Sequence, residues 1–567
     1  MPGYSIQDVK DLAAAGRDAE AAEACEHYLA DNPDDAEAWH LSARLYLKLA
    51  RYDDAAFQLQ AASSIRGSDP EFVETQREIE CAMLTEQGQT LQRLGRYTEA
   101  AAAYQKTAEH FPDRPWPVNN LGNVHLGAGR TDEAIAAFRR AAFMREPIHV
   151  AHSNLLMAML HSDRVPPEEL LAEHKLWAER FTPAHDSPPP VITDPDPGRP
   201  IRVGYASPDL RNHPVAVFML PVLSHHDRSR FEVTCYDDST VDDSVKRQLQ
   251  ATGCRWVPSA GMTYEQLFTQ VRKDRIDILI DLAVHSASNR LPVFAARAAP
   301  IQMTWLGYAG STGCPAVDYR ITDPIVDPPG MTDHHFTETL LRLPETFWCF
   351  GPPAENDLPV RTPTHDDGRL RFGTATRLAK VSPACRDAWA ELLRRADQSV
   401  LVLAAEALGD DAIRREWIGH FVSRGIPVER IELLPSRGYR GYLELLGSVD
   451  IGLDTFPFNG GTTVCQCLWM GTPVVGLAGN TSVSRVTASI LTNAGLSELV
   501  ANSVDEWIKL NLSLAAETQR REELRASLRS KMAASPLCDA PRFVRNLESA
   551  FRRVFAERCR GAVTGGA

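Results

Sequence analysis

Equivalent residues return every 34 positions near the start of this chain. Gly88, Ala100 and Tyr104 reappear as Gly122, Ala134 and Phe138, and Ala21 reappears as Ala55. A fixed period of this length means that each unit is one supersecondary element, able to bury its apolar face only against its neighbours. The small residues belong where two antiparallel helices cross closely, and the aromatics fill the hole beside them. Trp39, Tyr46, Ala55 and Pro112 occupy equivalent sites. Ala55 and Ala100 are 45 residues apart, so an extra stretch of 11 interrupts the array near residues 66–76.

Thirty-four residues is the tetratricopeptide period. Such helical pairs stack into a concave superhelix, here an arm over residues 1–185, whose groove suits an extended acceptor protein or peptide. Asn120 and Asn154, again one period apart, are candidates for pairing with a bound peptide backbone.

At 567 residues the chain exceeds one hydrophobic core and divides into several units. The proline-rich stretch at 187–200 ends the arm, because proline suits neither a helix interior nor a central strand. Beyond it, short apolar runs alternate with amphipathic helices, the pattern of parallel α/β sheets. Strands are expected at Ile201–Ala206, Phe231–Tyr236, Ile276–Asp281, Ile301–Leu306 and Tyr319–Thr322. After a loop at about 351–368, a second set is expected at Leu370–Thr374, Val400–Ala404, Ile431–Leu434, Ile451–Asp454 and Pro473–Leu477. Two Rossmann-like lobes follow, 200–350 and 369–540, with a ligand cleft at their strand C-termini. A final helix within 541–567 carries Phe543, Leu547, Phe551, Val554 and Phe555 on one face and should pack back on the lobes.

The formal charge of −14 argues against a nucleic-acid binder, which needs clustered Lys and Arg to neutralise phosphates. The first residues lack a signal-peptide pattern, and no run approaches a membrane span, so a cytoplasmic protein is expected. The 11 cysteines show neither metal-ligand nor C-x-x-C spacing and read as reduced and mostly buried.

Residues 450–479 carry the strongest local signal: a buried strand, a glycine-containing loop, a helix opening at Thr462–Thr463, and another strand. A helix start preceded by Gly460-Gly461 presents free N–H groups and the positive end of the macrodipole to an anion, and two hydroxyls add donors. It suits a diphosphate. The plainer reading, that Thr462 only caps its helix, applies to any such start.

The chain also resembles the nucleocytoplasmic O-linked N-acetylglucosamine transferases and the related SPINDLY-type O-fucosyltransferases, which form glycosyltransferase family 41. The resemblance rests on ASPDLRNHPV (206–215), ILIDLAVH (278–285), APIQMTWLGYAGSTG (299–313), VDYRITD (317–323), RLAKVSP (377–383), LDTFPFNGGTT (453–463) and WMGTPVV (469–475). It implies a GT-B fold of two lobes after the repeats. It also implies an inverting, metal-independent transfer of N-acetylglucosamine from UDP-N-acetylglucosamine to Ser or Thr hydroxyls, with the nucleotide sugar as co-substrate and no cofactor. The resemblance places His213 near the acceptor and the sugar, and Lys380 against the departing diphosphate. Tyr442 aligns with the ring that stacks on the base, and the backbone at Arg437 with the reader of its edge. His285 and Asp281, at the end of one strand, are read as facing the same cleft.

The chain departs from the family where Asn-Gly-His-Thr-Thr, with Asp three residues on, becomes Asn459-Gly460-Gly461-Thr462-Thr463 with Gln466. Gly461 removes an imidazole beside the phosphates, Gln466 offers the ribose an uncharged oxygen, and Arg377 replaces a usual glutamine and adds a cation. These exchanges keep a GDP-fucose donor open as the alternative, and with it a weakly active repeat scaffold. The His225-His226 and His334-His335 pairs are read as unconnected with metal, because adjacent side chains on one strand or helix point apart and no carboxylate-cysteine set accompanies them.

Overall fold

The computed structural model describes residues 4–145, 148–183, 188, 190–353, 358–360, 363 and 365–564. Parts of the two expected linkers (residues 187 and 189; 354–357, 361–362 and 364), the last two residues of the expected arm and the last three of the chain lie outside the described residues.

Among the described residues ten helices come first: α1 (Ile6–Ala14), α2 (Asp18–Asp31), α3 (Ala36–Lys48), α4 (Tyr52–Arg66), α5 (Pro70–Arg93), α6 (Tyr97–His110), α7 (Pro115–Gly127), α8 (Thr131–Ala142), α9 (His149–His161) and α10 (Pro167–Phe181). Their starts follow local chemistry. Asp35 Oδ1 caps α3 by accepting from Glu37 N and Ala38 N, and Asp69 caps α5 ahead of a proline at its first position. The extra stretch of 11 residues does not break the array. It lengthens α5 to 24 residues, where α3 and α4 have 13 and 15. Eleven residues is about three helical turns, so the added length returns the apolar stripe to the same face. The expected pairing of small and aromatic residues holds at Gly88, where a Cβ would lie 2.4 Å from the Tyr104 ring.

The compact units divide inside this array and not at the linker. Residues 1–124 and 144–146 form one unit; 125–143 and 147–567 form the other. The first is built on its own core, in which Ala21, Cys25, Leu45, Tyr46, Ala55 and Leu59 are buried. In the second, α9 and α10 share a core with the sheet that follows: Leu156, Leu160 and Trp177 pack with Tyr236, Leu279, Phe294 and Tyr308.

That sheet has seven parallel strands in the order β3-β2-β1-β4-β5-β6-β7, with β1 (Ile201–Ser207), β2 (Phe231–Asp237), β3 (Arg255–Pro258), β4 (Ile278–Asp281), β5 (Ile301–Thr304), β6 (Tyr319–Thr322) and β7 (Thr339–Arg342). A second parallel sheet runs β10-β9-β8-β11-β12-β13, with β8 (Leu370–Ala375), β9 (Ser399–Ala404), β10 (Ile431–Leu434), β11 (Ile451–Leu453), β12 (Val474–Leu477) and β13 (Val500–Ala501). Both reverse direction beside their first strand, the doubly wound order whose switch point binds ligands. Every expected strand is present. The unexpected ones, β3, β7 and β13, lie at sheet edges and lack the fully buried apolar run that marks the central strands.

The last helix, Ala540–Thr564, returns to the first lobe. Phe543 stacks on Trp305 at 5.8 Å, and Glu548 Oε1 lies 2.9 Å from His226 Nδ1. The lobes are joined directly by Ser489 Oγ, which donates to Asp323 Oδ2 at 2.7 Å, and by Arg485 Nε, which donates to the Ile325 carbonyl at 2.9 Å. Cys538 is half-buried and the other cysteines are buried, all as free thiols. Among the described residues no helix is long and apolar enough to cross a membrane.

Gly313 sits where α10 meets the first lobe. Its φ is +72°, and a Cβ there would lie 2.1 Å from the His174 carbonyl oxygen. Gly313→Ala combines a left-handed backbone with a backbone clash, so it should cost about 3 kcal/mol or more in chemical denaturation. A loss below about 1 kcal/mol would show that this junction yields easily.

Candidate functional site

The loop after β11 is held from several sides before it reaches the helix Thr462–Trp469. Asp454 Oδ1 accepts from Gly460 N at 2.8 Å. Asn459 Nδ2 donates to the Thr455 carbonyl at 2.9 Å, and Asn459 N to that of Val483 at 3.1 Å. The turn therefore arrives preshaped, with Gly461 at the N-cap and no side-chain cap on the helix. Thr462 is thus the first helical residue and not the cap, and the N–H groups of this turn stay available to an anion.

Lys380 stands over this loop. Its Nζ donates to the Asn459 carbonyl at 3.4 Å and lies 4.5 Å from the centre of the Phe458 ring. Phe458 is also stacked on His161, the last residue of α9, at 4.3 Å and 12°. Burial, reinforced by Arg377 and opposed by Asp454, lowers the Lys380 ammonium to about 8. Burial also raises Asp454 to about 6, and its Oδ2 has no hydrogen-bond partner. Each group moves toward neutrality, so desolvation outweighs their mutual attraction. A small cavity of about 10 Å³ is lined by Thr374, Thr376, Asp454, Gly460 and Thr463 among others.

Gly461 faces an indole. A Cβ on it would lie 3.1 Å from Trp348 Cη2, and Trp348 is itself packed on Phe218 at 4.5 Å. The Trp348 Nε1 donor is buried without a partner. Such an orphan N–H carries a desolvation cost that a bound acceptor would relieve.

Gln466 is engaged on both sides. Its Oε1 accepts from Tyr442 OH at 2.8 Å, and its Nε2 donates to Tyr439 OH at 2.9 Å. Tyr442 also lies 3.3 Å from Thr463 Oγ1, which links its ring to the helix tip. Arg437 is exposed in the loop before the helix Tyr439–Ser448, alongside Gly441.

His213 caps the helix Pro214–His225: its Nδ1 accepts from Val215 N at 3.3 Å. That bond makes the neutral ring carry its proton on Nε2, so its free edge donates. Burial, with Arg211 and Arg377 nearby, lowers the ring to about 4. His213 is thus a poor base at neutral pH and a good neutral donor.

Two expected cleft residues are placed differently. His285 is fully buried, its Nδ1 3.2 Å from Ser153 Oγ of α9 and its Nε2 3.2 Å from the Thr312 carbonyl, with Trp177 and Tyr308 against the ring. Its bonds and ring contacts join α9 and α10 to the first lobe. Asp281 Oδ1 accepts from Ala283 N and Val284 N at 2.8 and 3.0 Å and shapes the turn after β4. A strand end marks the level of a cleft but not the direction in which a side chain leaves it. Sequence reasoning missed Trp348, Asp454, Phe458 and His161 as site residues. Only Asp454 left a local trace, as an acid ending a buried strand before a glycine loop.

A larger cavity of about 260 Å³ lies among α9, α10 and both lobes, lined in part by His174, Ser311, His335, Phe456 and Ser482. It includes neither Lys380 nor the helix tip.

The sequence profile described as Glycosyl transferase family 41 matches residues 145–352 and 365–547, and tetratricopeptide-repeat profiles match 12–79 and 85–155. The chain is 37% identical over 418 residues to a probable UDP-N-acetylglucosamine–peptide N-acetylglucosaminyltransferase SPINDLY of Arabidopsis thaliana, covering 73% of this chain and 46% of the relative. The protein of that name from Oryza sativa subsp. japonica is 38% identical over 420 residues, covering 72% and 45%. This chain thus spans a little under half the length of those relatives. Among solved structures, an O-GlcNAc transferase mutant from Thermobaculum terrenum superposes with a TM-score of 0.75 at 32% identity, covering 98% of both chains. With its helical repeats followed by two parallel-sheet lobes, the chain belongs to glycosyl transferase family 41.

Proposed function

We propose that this protein transfers N-acetylglucosamine from UDP-N-acetylglucosamine to Ser or Thr hydroxyls of proteins, inverting the anomeric centre and using no metal at the diphosphate. The observation that carries this reading is the uncapped helix start at Gly461–Thr463 with the Lys380 ammonium beside it. The acceptor oxygen attacks the anomeric carbon, the bond to the β-phosphate oxygen breaks, and UDP leaves with the electron pair. Negative charge grows on the β-phosphate, where the helix tip, Lys380 and Arg377 stabilise it. One displacement inverts the centre. The hydroxyl proton goes to a phosphate oxygen or a water, since His213 is disposed to donate a hydrogen bond to sugar or acceptor. The helical array supplies the groove for the acceptor chain.

Trp348 gives the altered pocket its own logic. With Gly461 in place of an imidazole, the benzo edge of the indole fills that space, and its Nε1–H stays buried without a partner. Gln466 keeps one oxygen lone pair for the ribose while its amide braces the two tyrosines.

UDP and UDP-N-acetylglucosamine should bind in calorimetry, with GDP and GDP-fucose weaker. The reverse order would establish the fucose reading, and no binding by any of them at millimolar concentration would leave the repeat scaffold. At pH 8.5, where most Lys380 is neutral in the free protein, UDP should take up a proton on binding. The apparent enthalpy should then differ between buffers of different ionisation enthalpy, and Lys380→Met should remove that difference.

The same lysine should be dispensable for folding. A folded-state value near 8 against 10.5 unfolded means that the unfolded chain binds more protons between those limits, so wild-type stability rises with pH there. Below pH 8 the full penalty, on the order of 3 kcal/mol, is present. Lys380→Met should therefore be at least as stable as the parent at pH 7 while turnover falls about 10²–10³-fold. A matching loss of stability and turnover would make Lys380 structural.

Trp348→Leu and Gly461→His should each weaken UDP about ten-fold, and the double variant should recover most of that loss. Such a result is a coupling of about 1 kcal/mol or more. Strictly additive effects would contradict the assignment of Trp348.

A further inference from the structure

Two of the histidines set aside on spacing grounds come together with a carboxylate. Adjacent side chains were expected to diverge, and the first pair meets that expectation: His225 Nδ1 lies 2.8 Å from the Pro221 carbonyl, while His226 lies between Tyr205 and Glu548. The second pair does not. His334 and His335 lie in a single 3-10 turn, Asp333–His335, with ring centres 4.2 Å apart at 61°. Glu168, in the first turn of α10, approaches the same point, and one ligand atom from each of the three residues lies within 4.8 Å of the others.

We propose that Glu168, His334 and His335 form a binding site for a late first-row divalent cation of the zinc class. The donor set is two imidazoles and one carboxylate, which suits zinc, nickel or copper and not the all-oxygen shells of magnesium or calcium. Around a tetrahedral zinc ion, neighbouring donor atoms stand about 3.4 Å apart, so rotamer adjustments close the present spacing. The groups are also uncommitted: among the described residues, neither imidazole ring nor the Glu168 carboxylate has a hydrogen-bond or ion-pair partner.

The chemistry of the neighbourhood agrees. Glu168 and Glu169 open α10, where the positive end of the helix favours carboxylates. The ion would join the last helix of the array to the loop between β6 and β7, at the rim of the larger cavity, whose lining includes Pro167 and His335. Three protein ligands leave a fourth position for water or for an incoming oxygen donor. None of the three ligands is among the residues around Lys380 and the helix tip, so the ion takes no part in stabilising the diphosphate.

The test is calorimetric titration of the untagged full chain, stripped with a chelator, with zinc and separately nickel chloride at pH 7.5. One ion per chain is expected, with a rise in melting temperature that a chelator reverses. Glu168→Gln should weaken the site about ten-fold, and the His334→Ala, His335→Ala double variant should remove it. Glu168 and His334 are exposed and His335 half-buried, so the variants should melt like the parent without metal. Absence of stoichiometric binding by the parent at millimolar ion would overturn the proposal. Variants that bind as tightly as the parent would do the same.

Discussion

The site rests on a cation and an anion that both resist charging. Lys380 and Asp454 are drawn from water beside a helix start, and their attraction for each other is too weak to restore the charge that burial removes. The Lys380 ammonium is poorly satisfied by this partner alone and well satisfied by a ligand carrying negative charge. The loop that separates them cannot relax to cover the cost, because Asp454 holds Gly460, and Asn459 is fixed to Thr455 and Val483. Stability and function therefore pull against each other here, as they do wherever a binding site is organised before its ligand arrives.

That organisation extends across the unit through aromatic contacts. Phe458 lies between Lys380 and His161, so the end of α9 reaches the wall of the site. His285 and Trp177 carry the contact on into the first lobe, and Leu156, Leu160 and Trp177 belong to that lobe's core. The last helices of the array are thus packed into the first lobe, which explains why the compact units divide after Val124 and not at the proline-rich stretch. A repeat array is stabilised by nearest neighbours, and for α9 and α10 one of those neighbours is the first sheet.

The exchange of an imidazole for Gly461 reads differently once Trp348 is seen beside it. A residue 113 positions earlier in the chain fills the space and brings an unpaired donor. Gln466 likewise gives up a charge but gains two tyrosine hydroxyls. Each departure is matched by a neighbour that no local motif would connect to it.

The family resemblance alone singled out Lys380, whereas periodicity and local chemistry were enough to mark the 34-residue repeat, the alternation of strands and helices, and the glycine pair before Thr462. These are short-range patterns, governed by hydrogen bonding and burial within a few residues. The long α5, whose 11 added residues amount to whole turns, kept the same face and so left only a break in the period. Tertiary structure alone decided which side chains meet. It turned His285 into a packing residue against Ser153, set Trp348 beside Gly461, and brought Glu168 to His334. The physical reason is that burial fixes how many apolar residues an element must hide, whereas the direction of one side chain depends on which distant element comes to lie against it.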